Sequence, residues 1–410
     1  MKAVYLPSAT GVTLVKRLLW ACLLLAACLP AVPTPEPTPG FVPSNRLAPT
    51  PTPPPWTDGV EPVTLENAGR IARLGRLDAQ TAPSTVFAYA LAPDSARLAG
   101  LNNEQLIVWD LLTGGIVFNT ARAEALHVYY APDKNQVYTV DGGGAIALYD
   151  AASGAQQDAL DGHAAFNGAA AYHPDTGWLA LGGRDGEVKV WDVAARRALV
   201  ALRAHRLQVA ALAFSADGSQ LATAGEDGQV QVWDWQNRER LATVDGQALR
   251  LAFAPGGRQL AVGEADAIRL YTLPDGELAR TLATGPGGAS DVLAYSPDGR
   301  YLINGGGLPA LTVYDADDGQ LVAQLPGVGG DRTAAVFSPD GQLLATSVLG
   351  GGVSLWDMTR VSQGELARGD LAAGTLQVLA VDWTPDSFAL LVFEATGPVQ
   401  VWGIPAAPAS

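Results

Sequence analysis

Thiols are almost absent: the 410 residues include two cysteines, Cys22 and Cys28, both near the N-terminus. Neither a disulfide framework nor a cysteine-based zinc site can be built on so few. Charge is sparse as well, 16% of residues, and lopsided, with 41 Asp and Glu against 26 Lys and Arg. Gripping a phosphate backbone needs clustered positive charge, so nucleic-acid binding is not expected. Long apolar runs are missing: the longest near the N-terminus, LLWACLLLAA at 18–27, has ten residues. A membrane-spanning helix needs about 20. What is plentiful is apolar surface (48%) together with 46 Gly and 28 Pro. Such a chain buries a sizeable core without staples and is too apolar to be disordered throughout.

The N-terminus reads as an address. Lys16 and Arg17 precede the ten-residue apolar run, which stops at Cys28-Leu29-Pro30. A positive patch, a short apolar core and small residues before a cut site describe a secretory signal peptide. Leu25-Ala26-Ala27-Cys28 resembles the bacterial lipobox. The resemblance implies cleavage before Cys28, leaving 1–27 as a lipoprotein signal peptide, and a diacylglyceryl thioether on the Cys28 sulfur. The alternatives are ordinary secretion with Cys28 incidental, or a start placed too early. Cleavage would remove Cys22 and leave Cys28 as the single thiol; losing Lys2, Lys16 and Arg17 takes the formal charge from −15 to −18. Residues 30–55 carry eleven prolines in 26 positions. Proline fixes φ and donates no hydrogen bond, so 28–55 is expected to be a semi-extended, lipid-anchored stalk, its length on the order of 80 Å. The exported protein would then sit outside the cytoplasm on the bacterial cell membrane, although which membrane face is left open.

Beyond residue 84 the chain repeats itself. Turns at Ala92-Pro93-Asp94, Ala131-Pro132-Asp133, His173-Pro174-Asp175, Ser215-Ala216-Asp217, Ala254-Pro255-Gly256, Ser296-Pro297-Asp298, Ser338-Pro339-Asp340 and Thr384-Pro385-Asp386 alternate with dipeptides. These are Trp109-Asp110, Tyr149-Asp150, Trp191-Asp192, Trp233-Asp234, Tyr271-Thr272, Tyr314-Asp315, Trp356-Asp357 and Trp402-Gly403. Turn and aromatic are 16 or 17 residues apart each time, and successive aromatics 38 to 46 apart. Short apolar runs between turn signals, such as Val209–Phe214, predict strands, and a period near 42 selects propeller blades. The units resemble WD40 repeats, four-stranded blades of a β-propeller. The resemblance runs over residues 61–403 and implies an all-β, eight-bladed WD40-type propeller occupying 56–410. Seven blades with one displaced, degenerate unit is the competing count. The eighth unit has no good outer strand, whereas Ile71–Leu77 is a spare strand-like segment ahead of the first. We expect that segment to pair with the last blade and close the ring, sparing it an open edge.

Within this frame the chemistry-bearing residues are few. His205, Thr223, Asp227 and Trp233 match the WD40 structural tetrad, a hydrogen-bonded link between the inter-blade loop and the inner strands. A Thr-His-Asp set also fits the pattern of a nucleophilic triad, but the resemblance implies a structural role. The third unit keeps His163, Asp185 and Trp191 with Leu181 in the hydroxyl place. No catalytic group, metal site or cofactor is expected: the histidines at 127, 163, 173 and 205 fall in separate units. Gly142-Gly143-Gly144, Gly305-Gly306-Gly307 and Gly350-Gly351-Gly352 lack a following Lys-Ser/Thr, so they read as tight turns and not phosphate cradles. The remaining candidate is a rim. Arg184, Arg203 and Arg206 should gather on the third and fourth blades, with Phe166 as a nearby aromatic anchor, able to receive a carboxylate or phosphate of a partner. The expected function is a monomeric, non-catalytic, membrane-anchored scaffold that binds a protein or peptide partner on the propeller rim. An extracytoplasmic enzyme with a site at the central mouth is the alternative.

Overall fold

Eight small antiparallel sheets account for the architecture of the computed structural model. It describes residues 60–77, 86–121, 124–284, 292–305, 310–326, 334–347, 352–368, 371, 378–394 and 399–405. The leader, Cys28, the stalk and the first residues assigned to the domain lie outside these. No helix among the described residues is long and apolar enough to cross a membrane.

Local chemistry sets each strand pair. In the fourth blade, Val209–Phe214 and Gln220–Gly225 are joined at Ser215–Ser219. Ser215 Oγ donates to Asp217 Oδ1 (2.6 Å) and accepts from Gln220 N–H (2.9 Å), while Asp217 Oδ1 accepts from Ser219 N–H (3.0 Å). Gly218, at φ +71°, takes the left-handed position that closes the turn. Ser296–Asp298, Ser338–Asp340 and Thr384–Asp386 repeat the hydroxyl-to-carboxylate bond at 2.5, 2.6 and 2.7 Å. The third strand, Gln229–Asp234, pairs with Glu239–Asp245 through a register shift between Val232 and Trp233. The same shift falls at Trp109, Trp191, Tyr271, Tyr314 and Trp356, so the periodic aromatics sit at β-bulges.

Blades 1 to 8 cover 88–121, 125–160, 166–203, 209–245, 250–283, 292–326, 334–368 and 378–405. Seven of the sheets are four-stranded in sequence order; the eighth blade borrows its outer edge from the N-terminus. Ala72–Arg76 pairs antiparallel with Gln400–Pro405, Ala72 opposite Gly403 and Arg76 opposite Gln400. Val60–Glu61, unforeseen in the sequence, extends the same edge opposite Ile404 and Pro405. Eight blades, not seven, are present.

The core lies between blades and not within one. Each of eight apolar clusters draws on two neighbouring sheets: Val188, Val190 and Val200 of blade 3 with Phe214 and Trp235 of blade 4, for example. The cluster that unites the chain's two ends sets Leu98, Ile107 and Trp109 of blade 1 against Leu391, Phe393 and Val401 of blade 8, with Leu77 between. Tyr89 stacks on Phe393 there at 3.9 Å. Last blade thus packs on first as every other blade packs on its neighbour.

Candidate partner-binding rim

Blade topology assigns the loops to faces. Turns from first to second strand, and from third to outer strand, lie on one face. Turns from second to third strand, and the links between blades, lie on the other. Arg184 sits in the second-to-third turn of blade 3, Arg203 ends its outer strand, and Arg206 follows in the link to blade 4. All three are exposed and share a face.

The four residues expected to link this loop to its blade do so. His205 Nδ1 donates to Asp227 Oδ1 at 3.1 Å, and its Nε2, 2.9 Å from Thr223 Oγ1, accepts from that hydroxyl. Trp233 Nε1–H donates to the same oxygen at 3.4 Å. The carboxylate can only accept, which fixes the proton on Nδ1 and orders the whole chain of donors. Burial holds the His205 imidazole below its ordinary pKa against the opposing pull of Asp227, so it is neutral at neutral pH. Burial acts to raise the Asp227 carboxyl, but Arg206 N–H, donating to Oδ2 at 2.9 Å, and His205 outweigh it and hold it low. The strut therefore ends on the backbone of a rim arginine. It has the composition of a triad without the access: the His205 side chain is wholly buried.

Backbone bonds bring the rim segments together. His205 N–H donates to Gly186 O (3.0 Å) and Arg184 N–H to Ala165 O (2.7 Å). Gly186 is at φ +77°, and a Cβ there would collide with the His205 carbonyl. Glu187 lies opposite Arg203 across the strands. None of the three guanidinium groups pairs with a carboxylate among the described residues. Acids nonetheless share these turns: Asp185, Glu187 and Glu226, with Lys189 Nζ 4.0 Å from Glu187. The patch is thus mixed in sign, where the sequence reading expected a basic one. Apolar exposure, missed in the sequence, is supplied by Leu207, 52% exposed next to Arg206.

Phe166 is not the anchor expected of it. It starts the first strand of blade 3, is 4% exposed, and packs with Ile146, Leu148 and Leu179 between blades 2 and 3. His127 meets its ring edge-on at 5.9 Å. A phenyl at an inner strand's start gains more from the inter-blade core than from solvent.

Ligand atoms of His163, Asp185 and Glu187 lie within 4.8 Å of one another, the grouping that comes nearest to a metal site among the described residues. Its hydrogen bonds disfavour that use. His163 Nε2 lies 3.1 Å from Glu187 O, a carbonyl that can only accept, so the proton sits on Nε2. Nδ1 accepts from Ala165 N–H at 3.3 Å, leaving no free lone pair for a cation. With Leu181 in place of a hydroxyl, Trp191 Nε1 is buried without a hydrogen-bond partner among the described residues.

Other blades replace the tetrad in their own ways. In blade 7, Trp356 Nε1 donates to Thr346 Oγ1 at 2.9 Å. In blade 8, Trp402 Nε1 donates to Gln400 Oε1 at 3.0 Å, and Gln400 Nε2 donates to Glu394. Blade 5 buries Glu264 against Arg269.

Three stretches, 154–192, 197–234 and 319–357, match the family "WD domain, G-beta repeat". Over 118 residues the chain is 36% identical to telomerase protein component 1 of Rattus norvegicus, covering 28% of this chain and 4% of that protein. The Mus musculus counterpart matches at 32% over 126 residues, 30% of this chain and 5% of that one. The chain thus spans only a small part of these relatives. Among solved structures, the computationally designed Ika8 protein superposes with TM-score 0.65 at 22% identity, covering 80% of this chain and all of that one. The C-terminal WD40 domain of Sif2 gives 0.64 at 15% identity over 82% and 98%. At such identities the likeness concerns the fold alone. The chain carries WD40 repeats arranged as an eight-bladed β-propeller.

Proposed function

We propose that this protein is a membrane-anchored, extracytoplasmic scaffold that holds a protein or peptide partner on the rim of blades 3 and 4. Its WD40 architecture is one commonly used for docking proteins. The observation that carries the rim assignment is the strut ending on Arg206: it fixes a loop whose guanidinium groups pair with no carboxylate among the described residues and whose Leu207 is exposed. A loop held in advance loses little entropy on binding. Arg184, Arg203 and Arg206 would take carboxylate groups of the partner, and Leu207 an aliphatic contact. The Cys28 lipid and the proline-rich stalk would hold the disc off the membrane surface.

Cross-linking in intact cells tests both parts. The full chain should capture a partner that the double variant Arg184→Glu, Arg203→Glu loses. Arg238→Glu, on the opposite face, should retain it. Unchanged capture by the double variant removes the rim assignment. Mass spectrometry of the mature N-terminus should find acylated Cys28, and an unmodified residue there refutes the anchor.

A further inference from the structure

The seam where blade 8 meets blade 1 contains a carboxyl group unlike others in the ring. Asp382 lies in the first strand of blade 8 and is 1% exposed. Val381 and Trp383 on either side face blade 7, and Asp382 faces blade 1, beside Tyr89 on its stack with Phe393. The hydrogen bond described for it comes from the adjacent Trp383 N–H, 2.9 Å from Oδ1. No lysine or arginine pairs with it among the described residues.

Other ionisable groups around the seam do not neutralise it. Tyr89 is kept a neutral phenol, its pKa raised by burial and by Asp382 itself. Asp386, in the following turn, bonds Thr384 and Ser95 of blade 1 and is raised by burial. Glu394 sits opposite Val378 at the far end of the strand pair, under the influence of Arg76 and Arg73. Arg97 of blade 1 donates from Nη1 to Ala151 O at 2.9 Å, away toward blade 2.

We propose that closure of the ring is proton-linked: the seam shuts around the neutral form of Asp382 and loosens when that carboxyl is ionised. An ionised carboxylate without a cation is strongly disfavoured in such a site. Burial accordingly pushes Asp382 from 3.8 up to about 8. Opening the seam would return it to its ordinary value. The closed state therefore holds one more proton than the open state between about pH 4 and 8, so acidification tightens the ring and the effect levels off above the upper value. Leu77 packs in the same cluster, so the N-terminal strand and the proton act on one junction.

Hydrogen exchange of the full chain, corrected for intrinsic rates, tests this from pH 5 to 7.5. The seam-opening constant read at strands Ala88–Leu91 and Ala389–Glu394 should rise about tenfold per pH unit. Strands of blades 3 and 4 should show no such slope. Asp382→Asn should remove most of it. Infrared spectroscopy of the unaltered protein gives a second measurement that needs no variant: one buried carboxylic acid band should persist at pH 6.5 and fade as pH passes about 8. An equal slope in Asp382→Asn, a flat profile in the unaltered seam, or the absence of that band at pH 6.5 each overturns the proposal.

Discussion

Replacing Thr223 by valine keeps shape and volume but removes the oxygen that joins His205 to Trp233. Two buried polar groups lose a partner: the Nε2 lone pair of His205 and the indole N–H of Trp233. Orphaning a buried group costs about 1–3 kcal/mol. The Trp233 bond is long, 3.4 Å, so its share belongs at the low end, whereas the His205 bond at 2.9 Å is well formed. The expected loss is about 2–4 kcal/mol. Thr346→Val in blade 7 is the matched comparison, because there the described hydroxyl partner is Trp356 alone. Its cost should be about 1–2 kcal/mol. Urea denaturation supplies the difference, and hydrogen exchange supplies the location. Arg206 N–H, bonded to Asp227, should lose protection in Thr223→Val and keep it in Thr346→Val. Equal costs with unchanged Arg206 protection would refute the idea that the strut supports the rim.

Two further outcomes follow from buried groups. Ile71, fully buried among Val63, Ala68 and Ile404, locks the N-terminal edge onto blade 8; Ile71→Ala should cost about 2–4 kcal/mol and speed hydrogen exchange of the strand Ala72–Arg76. Burial lowers the His127 imidazole from 6.5 to about 4, so the unfolded chain binds the extra proton and the contribution of this residue to stability should fall by about 3 kcal/mol from pH 6.5 to 4. With Asp382 replaced by asparagine, denaturation should reveal that acid loss, and the additional change His127→Gln should flatten the profile over the same range.

The repeat was legible because a turn and a bulge each impose local residue types. Ser-x-Asp-Gly is needed wherever a hydroxyl, a carboxylate and a left-handed residue close the same hairpin, and the bulge keeps one aromatic in phase. The N-terminal strand could be foreseen from a missing outer strand in the last unit. Val60–Glu61 could not, since two residues carry no periodicity. Phe166 was misplaced because spacing gives a position along the chain, and only the sheet decides whether a strand begins before or after it. The relay of Glu394, Gln400 and Trp402 was invisible for a related reason: its residues match no repeated pattern, and their meeting depends on pairing across two strands. The acids that offset the rim arginines were present in the sequence, but their sharing of one face follows from topology.

The two proton linkages act in opposite directions over the same range. His127 favours the folded state as pH rises from about 4 to 6.5, whereas Asp382 disfavours it from about 4 to 8. Each contributes about 1.4 kcal/mol per pH unit within its window, so they nearly cancel below pH 6.5. A flat overall profile would then be a balance of two buried groups on different inter-blade contacts, not the sign of their absence. Above pH 6.5 the aspartate acts alone, and stability should decline toward pH 8. Removing Asp382 should expose the acid sensitivity that His127 imposes, while removing His127 should steepen the decline. The pair can be separated by location as well, since Asp382 lies at the seam and His127 at the contact of blades 2 and 3, where its Nε2 donates to Gly168 O at 3.0 Å.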